Sequence, residues 1–242
     1  MCGILVLKAD RISSDLENKF MSSLNSLKSR GPDETRVIKR KKYLIGFTRL
    51  SINNISNGSQ PFISNCKRYI LVFNGEIVNF KILINQFKNS IEFKLKSEAE
   101  VIFNLYKLFG KDCVNYLRGF FAFAIIDLKL NNIFCAVDRF AIKPLYFHEN
   151  EKYSLFISDY TPLIKNRLIS DNLNMEKISD YFTFAREFDD KTIFKGVKKL
   201  SAGTYLNYDK NKKKKFVKYW SSFKKDEIKL ISENYLVEEF NN

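Results

Sequence analysis

Apolar residues fall along this chain in two textures. Short stretches that are apolar at nearly every position read as strands: Ile4 to Lys8, Tyr43 to Leu50, Tyr69 to Asn74, Phe120 to Asp127, Ile133 to Val137, Leu145 to His148 and Leu155 to Ser158. A strand with one wet face alternates apolar and polar residues, whereas runs such as FFAFAIID do not, so these strands are predicted to be covered on both faces. Between them lie stripes at helical spacing. Leu16, Phe20, Leu24 and Leu27 form one, and Val101, Leu105 and Leu108 form another, with Ser97 placed to cap the second helix. A further, weaker helix is expected over Met175 to Phe184. Helices therefore flank sheets, and the stripes are core.

After Gly203 the stretch TYLNYDKNKKKKFVKYW alternates, and its D-K-N-K centre predicts a hairpin turn. The last segment sets Ile228, Ile231, Tyr235 and Phe240 on one side of an amphipathic helix that has little of this chain to pack against. The expected division is one domain over 2–208. A 209–242 segment then holds the hairpin end and the start of an absent domain.

A chain of 242 residues, 45% hydrophobic and 28% charged, is long enough to bury a large core and excludes a disordered or collagen-like protein. The longest apolar run, Phe120 to Ile126, is too short to span a bilayer, and Lys8, Asp10 and Arg11 interrupt the apolar start before a secretory signal develops. The expectation is a cytoplasmic protein with no membrane partner. The net charge of +14 is spread out, with clusters at Lys39 to Lys42 and Lys212 to Lys215, each flanked by alternating residues that read as hairpin strands. No aromatic-basic recognition motif accompanies them, so a solvated surface is expected; a nucleic-acid-binding module is the weaker alternative.

The four cysteines, Cys2, Cys66, Cys113 and Cys135, are scattered without a C-x-x-C pair, so neither a metal site nor a disulfide framework is signalled. The last three read as ordinary buried thiols. The single histidine, His148, reads as a hairpin residue. With one histidine, an HExxH or His-rich metal site is excluded, and a histidine-activated nucleophile would have to use that residue. Cys2 offers another route. Removal of Met1 would leave the Cys2 α-amine beside its own thiol, and an amine of pKa about 7.7 to 8.0 can take a proton from a thiol of about 8.5 and return it later.

A series of motifs follows Cys2 in order: M-C-G-I at Met1 to Ile4, S-R-G-P-D-E at Ser29 to Glu34, T-R-L-S-I at Thr48 to Ile52 and S-Q-P-F at Ser59 to Phe62. N-G-E-I at Asn74 to Ile77, S-E-A-E-V-I at Ser97 to Ile102, L-R-G-F-F-A-F-A at Leu117 to Ala124 and D-R-F-A-I-K-P-L-Y at Asp138 to Tyr146 complete it. In these the chain resembles the class II glutamine amidotransferases, which are N-terminal-nucleophile hydrolases, and most closely the amidotransferase domain of glutamine-dependent asparagine synthetases. The resemblance implies an α+β fold, a four-layer αββα sandwich with two antiparallel sheets between helical layers.

It also implies roles. Cys2 would attack the carboxamide of L-glutamine and form a γ-glutamyl thioester, releasing ammonia; water would then free glutamate. Asn74 and the Gly75 N–H would form the oxyanion hole. Arg49 would clamp the substrate α-carboxylate, Glu98 would receive the α-ammonium, and the backbone around Ile52 and Glu76 would complete the pocket. By themselves Arg49 reads as a surface strand charge and Glu98 as a first-turn residue favoured by the helix dipole.

The chain departs from the family pattern at several positions. Glu98 stands where the family usually has aspartate, Phe47 and Ser29 where it commonly has histidine, Val78 for a tyrosine and Ala141 for a glycine. An S-G-G-x-D-S pyrophosphate loop, which marks the ATP-using domain of asparagine synthetases, does not occur. The expected function is thus the glutaminase half of an asparagine synthetase-like enzyme, feeding ATP-dependent amidation of aspartate in a synthetase domain absent from this chain. No cofactor or metal is expected here; ATP and Mg belong to the missing domain, which would join in cis or in trans, and a homodimer is left open. The alternative is a catalytically impaired homologue that binds glutamine or a partner.

Overall fold

The computed structural model describes residues 1–51, 58–186 and 188–222. Among them are strands Gly3–Ala9 (β1), Glu34–Arg40 (β2), Tyr43–Arg49 (β3), Phe62–Ile63 (β4), Tyr69–Ile77 (β5) and Gly119–Asp127 (β6). Asn132–Val137 (β7), Tyr146–Glu149 (β8), Tyr153–Ile157 (β9), Val197–Lys199 (β10), Thr204–Tyr208 (β11) and Lys214–Lys218 (β12) follow. The helices are Ser14–Ser26 (α1), Phe80–Phe87 (α2), Glu98–Phe109 (α3), Thr161–Lys165 (α4) and Met175–Phe184 (α5). Two six-stranded sheets result, ordered β10-β8-β9-β1-β3-β2 and β12-β11-β7-β6-β5-β4, with antiparallel pairing.

The doubly apolar strands have a direct physical cause. In β1, Ile4 and Val6 enter the core between the sheets, while Leu5 and Leu7 enter a second core beneath α1 and α4. In β6, Ala122, Ala124 and Ile126 face the inter-sheet core, and Phe121, Phe123 and Ile125 face a third core under α3. Three cores separate four layers, which is the αββα sandwich. Ser97 does cap α3, its Oγ accepting the Glu100 N–H at 3.2 Å, and Ser13 does the same for α1 through Leu16.

Several expectations are corrected. Leu108 is exposed rather than core, because the packed face of α3 runs through Ile102, Leu105, Tyr106 and Phe109, all on the third core, and Leu108 falls at its edge. Cys113 and Cys135 are buried, but Cys66 is exposed, since it lies in the tight turn between β4 and β5 closed by the Lys67 N–H on the Ser64 carbonyl. The strand pairing also runs past the expected 208 boundary: β12 pairs with β11 along its length, so the hairpin end belongs to this sheet. The helix expected from Ile228, Ile231, Tyr235 and Phe240 lies outside the described residues. His148 sits in the β8–β9 hairpin, its Nδ1 2.9 Å from the Gly196 carbonyl oxygen, and burial lowers its pKa.

Lys8 closes the end of the inter-sheet core that is opposite Cys2. Its Nζ donates to the carbonyls of Asn131 and Asp209 at 2.9 and 3.0 Å, and burial pulls its pKa down to about 8. At the Cys2 end the DRFAIK loop is held by Asp138, which is fully buried. Its carboxylate accepts the N–H groups of Phe121, Phe140, Ile142 and Lys143 at 2.9–3.2 Å. Ala141, inside that loop, has φ +51°, a left-handed conformation that costs an L-residue about 1–2 kcal/mol. Glycine avoids this at an entropic cost of about 0.5–1 kcal/mol. Ala141→Gly is therefore expected to raise stability by up to about 1 kcal/mol, read as an increase in the urea midpoint with an unchanged slope.

Candidate active site

One cavity of about 170 Å³ opens where β1, β3 and β5 meet the start of α3. That is smaller than the roughly 300–1,000 Å³ of drug-sized sites and suits a single small metabolite. Cys2, Arg49, Asn74, Gly75, Glu76 and Glu98 all line it, joined by Phe47, Gln60, Phe120 and Lys143. Ile52, expected here as well, lies outside the described residues. Ser29 sits in a short turn after α1, where its Oγ donates to the Ser26 carbonyl, so that departure from the family pattern falls outside the cavity lining.

Cys2 enters the cavity because Gly3 behind it lets β1 lie against β3; a Cβ on Gly3 would stand 2.4 Å from Thr48 Oγ1. Its thiol is loosely held, with the Leu50 carbonyl 3.8 Å and the Leu50 N–H nitrogen 3.5 Å from Sγ. The Cys2 nitrogen donates to Asn74 Oδ1 at 3.1 Å. This bond fixes the Asn74 amide, so its Nδ2 turns the other way. Asn74 is 2% exposed, and Nδ2 is buried without a hydrogen-bond partner among the described residues. A buried donor left unpaired costs about 1–3 kcal/mol, which marks it as a group kept for something other than stability.

Gly75 follows with φ +147°, and a Cβ there would come within 2.1 Å of the Phe120 carbonyl oxygen. No other residue fits this crossing of β5 and β6. Gln60, which sequence reasoning left without a role, holds the strand just before Asn74: its side chain accepts from the Phe73 N–H at 2.6 Å and donates to the Phe73 carbonyl at 3.0 Å. A side chain that acts through another residue's backbone leaves no residue-type signal beyond the S-Q-P-F motif itself.

Arg49 is not a surface charge. It is 6% exposed at the end of β3, with Nη1 3.8 Å from Glu34 Oε2. The loop beyond it is anchored by Asp33, whose Oδ2 accepts the Ser51 N–H at 2.6 Å and whose own N–H reaches the Arg49 carbonyl. Glu98 is 8% exposed, and its Oε1 accepts the Ile77 N–H at 2.6 Å. Burial raises its pKa, the Ile77 bond partly offsets this, and the nearby Glu76 charge adds to the rise. Among the described residues no ion pair reaches Glu98.

That raised pKa has a sign. Between its unfolded value, about 4.3, and its higher folded value, the native state binds more protons than the unfolded chain, so stability falls as pH rises through this window. Glu98→Gln keeps an acceptor for Ile77 and removes the buried charge. The variant is expected to be more stable than the parent at neutral pH, with the gain vanishing at acid pH, measured by urea unfolding across pH.

A thiol beside a backbone nitrogen, an unpaired amide donor, a buried guanidinium and a buried carboxylate lacking a cation together suit acyl transfer on a zwitterionic amino acid. Among the described residues no group of His, Cys, Asp and Glu side chains has a metal-binding arrangement, and no helix is long and apolar enough to cross a membrane. The family model described as "Glutamine amidotransferase domain" matches residues 1–220. "Asparagine synthetase [glutamine-hydrolyzing] 2" of Bacillus subtilis is 31% identical over 227 residues, covering 91% of this chain and 30% of that protein. "Putative asparagine synthetase [glutamine-hydrolyzing] 2" of Methanocaldococcus jannaschii is 30% identical over 235 residues, covering 88% of this chain and 45% of that one. The chain thus spans less than half the length of either relative. The solved structure of glutamine phosphoribosylpyrophosphate amidotransferase from B. subtilis, complexed with ADP and GMP, superposes with a TM-score of 0.65 at 17% identity. It covers 92% of this chain and 50% of that one, and shows the shared fold. The chain belongs to the glutamine amidotransferase domain family.

Proposed function

We propose that this domain hydrolyses L-glutamine to glutamate and ammonia through a thioester on Cys2, and that it supplies the ammonia to a synthetase domain. The observation that carries this reading is the two-ended setting of Asn74, a residue lining the cavity, whose Oδ1 holds the Cys2 nitrogen while its buried Nδ2 has no partner among the described residues. With Met1 removed, that nitrogen becomes the α-amine. It takes the thiol proton as Sγ bonds to the substrate carboxamide carbon, and the oxyanion is met by Asn74 Nδ2 and the Gly75 N–H. Collapse breaks the C–N bond, the α-ammonium returns its proton to the leaving nitrogen, and ammonia departs. Water, deprotonated by the same amine, then attacks the thioester carbonyl; the C–S bond breaks, the ammonium returns its proton to Sγ, and glutamate departs.

Arg49 and Glu98 bind the α-carboxylate and α-ammonium of the substrate. A charge-assisted hydrogen bond contributes about 1.5–3 kcal/mol, so Glu98→Gln is expected to raise KM about 10- to 100-fold with a smaller change in kcat. The names of the relatives support aspartate as the final acceptor, in an ATP- and Mg-using domain joined in cis or in trans.

Hydroxylamine tests the chemistry directly. It should trap the thioester as γ-glutamyl hydroxamate, and only in protein whose intact mass shows that Met1 is gone. Hydroxamate formed equally by protein retaining Met1 would overturn the α-amine mechanism. Protein that binds glutamine by calorimetry yet forms no hydroxamate is instead the impaired binding module that Glu98 and Phe47 bring to mind.

A further inference from the structure

We propose that the open flank of the inter-sheet core is a second binding site, separate from the Cys2 cavity, for a small aromatic anion. A cavity of about 370 Å³ lies there, within the roughly 300–1,000 Å³ of small-molecule sites, and it shares no lining residue with the Cys2 cavity. Its place follows from strand register. β10 ends one sheet and β12 the other, and both line it. Directly paired residues share a face of their sheet. Lys198 pairs with Phe147, and Lys214 and Phe216 pair with Tyr208 and Leu206; these three partners all belong to the inter-sheet core. Lys198, Lys214 and Phe216 therefore point inward, where core residues belong, yet Phe216 is 45% exposed. β10 has only three residues, and the sandwich is left unfilled along this edge.

The wall beside β10 is fixed in advance. Thr192 is fully buried, with Oγ1 3.0 and 3.2 Å from the Phe194 and Val197 carbonyl oxygens. The Asn174 N–H donates to the Ile193 carbonyl at 2.9 Å and the Lys195 N–H to the Asn172 carbonyl at 2.8 Å. Such a wall loses little conformational entropy when a ligand arrives.

The lining gives the ligand its chemistry. Lys191, Lys195, Lys198 and Lys214 contribute four ammonium groups against one carboxylate, Glu149, which the Tyr208 hydroxyl and Lys214 already meet. Lys195 has no ion pair among the described residues. Lys191 and Lys198 reach Glu176 and Asp190 at 3.7 and 3.1 Å, exposed partners that do not line the cavity. Exposed pairs contribute about 0–1 kcal/mol, so an entering anion can take these ammonium groups. The body of the ligand meets Phe147 and Phe216. Lys214 Nζ stands 5.7 Å over the Phe147 ring, which shows an ammonium stationed against an aromatic plane at this flank. A ligand ring lodged there gains the same attraction, and an alkyl chain does not.

The test titrates the full chain with anilinonaphthalene sulfonate, an aromatic anion that fluoresces in apolar sites, at about physiological salt. The expected result is one saturable site from which adenosine monophosphate or indole acetate displaces the dye. Which of them does so tells a nucleotide from an aromatic carboxylate. Inorganic phosphate and laurate should not displace it. Lys195→Glu with Lys198→Glu should weaken dye binding at least about tenfold, the effect of losing two charge-assisted contacts. Glutamate release should be unchanged, because neither residue lines the Cys2 cavity. Lys195→Glu alone, at an exposed position, should weaken it about threefold and keeps the test open if the double variant does not fold. Phe182→Ser, on the exposed aromatic face of α5, should leave binding as it was. Unchanged affinity in the charge-reversed proteins would show that the lysines only guard two sheet edges against pairing with other chains, and overturns the proposal. So does displacement by inorganic phosphate, by laurate or by none of the competitors, and so does loss of the dye site in Phe182→Ser.

Discussion

Cys2→Ala is expected to reduce glutamate release from glutamine by at least about 10⁴-fold while leaving the protein folded and able to bind glutamine. The size follows from chemistry: without Sγ no thioester forms, and the remaining groups can only polarise a carboxamide toward water. The retained fold follows from the structure. The thiol meets the Leu50 backbone at 3.5 and 3.8 Å, and a thiol is a weak donor and a weak acceptor, so these contacts contribute little stability. Alanine is small enough to sit beside Gly3 and leaves the nitrogen on Asn74 Oδ1. Calorimetry should therefore give an unchanged glutamine affinity with turnover at background. Cys2→Ser, with a hydroxyl that this amine deprotonates poorly, should lie between the two. Turnover that survives in Cys2→Ala would end the proposed mechanism.

The layers were legible in the sequence because their physical cause is local. Strands covered on two faces cannot alternate, and β1 and β6 do not; the stripes of α1 and α3 were at helical spacing, and that of α3 carried its cap, Ser97, with it. What escaped was short or decided at a distance. α2 has eight residues, buries only Leu83 and has no side-chain cap, so its pattern is weaker than that of a long helix. β4 and β10, of two and three residues, are strands only because a neighbour pairs with them. The site shows the same division. Cys2, Asn74 and Gly75 could be named from motifs, whereas the burial of Arg49 and Glu98 depends on which ends of β3 and α3 the fold brings together. Gln60 and Asp138 act by receiving or supplying backbone hydrogen bonds, and the backbone is the same whatever the sequence.

Asn74→Ala should lower kcat by about 10²–10³-fold, the loss of about 2.7–4 kcal/mol that accompanies removal of one oxyanion-hole donor, with KM nearly unchanged. KM is spared because Arg49 and Glu98, which are to hold the substrate's charged end, line other walls of the cavity. Stability should change far less than activity. Alanine removes the uncompensated Nδ2 donor but also cuts the hydrogen bond from the Cys2 nitrogen to Oδ1, and the two effects oppose each other, so the melting temperature is expected to stay nearly level. An ordinary core asparagine with every polar atom paired would lose more stability when its hydrogen bonds are cut. Asn74→Asp separates the two ends of the side chain. It keeps an oxygen for the Cys2 nitrogen but sets a negative charge against the developing oxyanion, and it stabilises the ammonium form of the base. The aspartate variant should therefore be at least as slow as the alanine variant, with the acid limb of its kcat/KM profile displaced to higher pH. A loss of less than about fivefold in Asn74→Ala, or an aspartate variant faster than alanine, would show that Nδ2 does not meet the oxyanion.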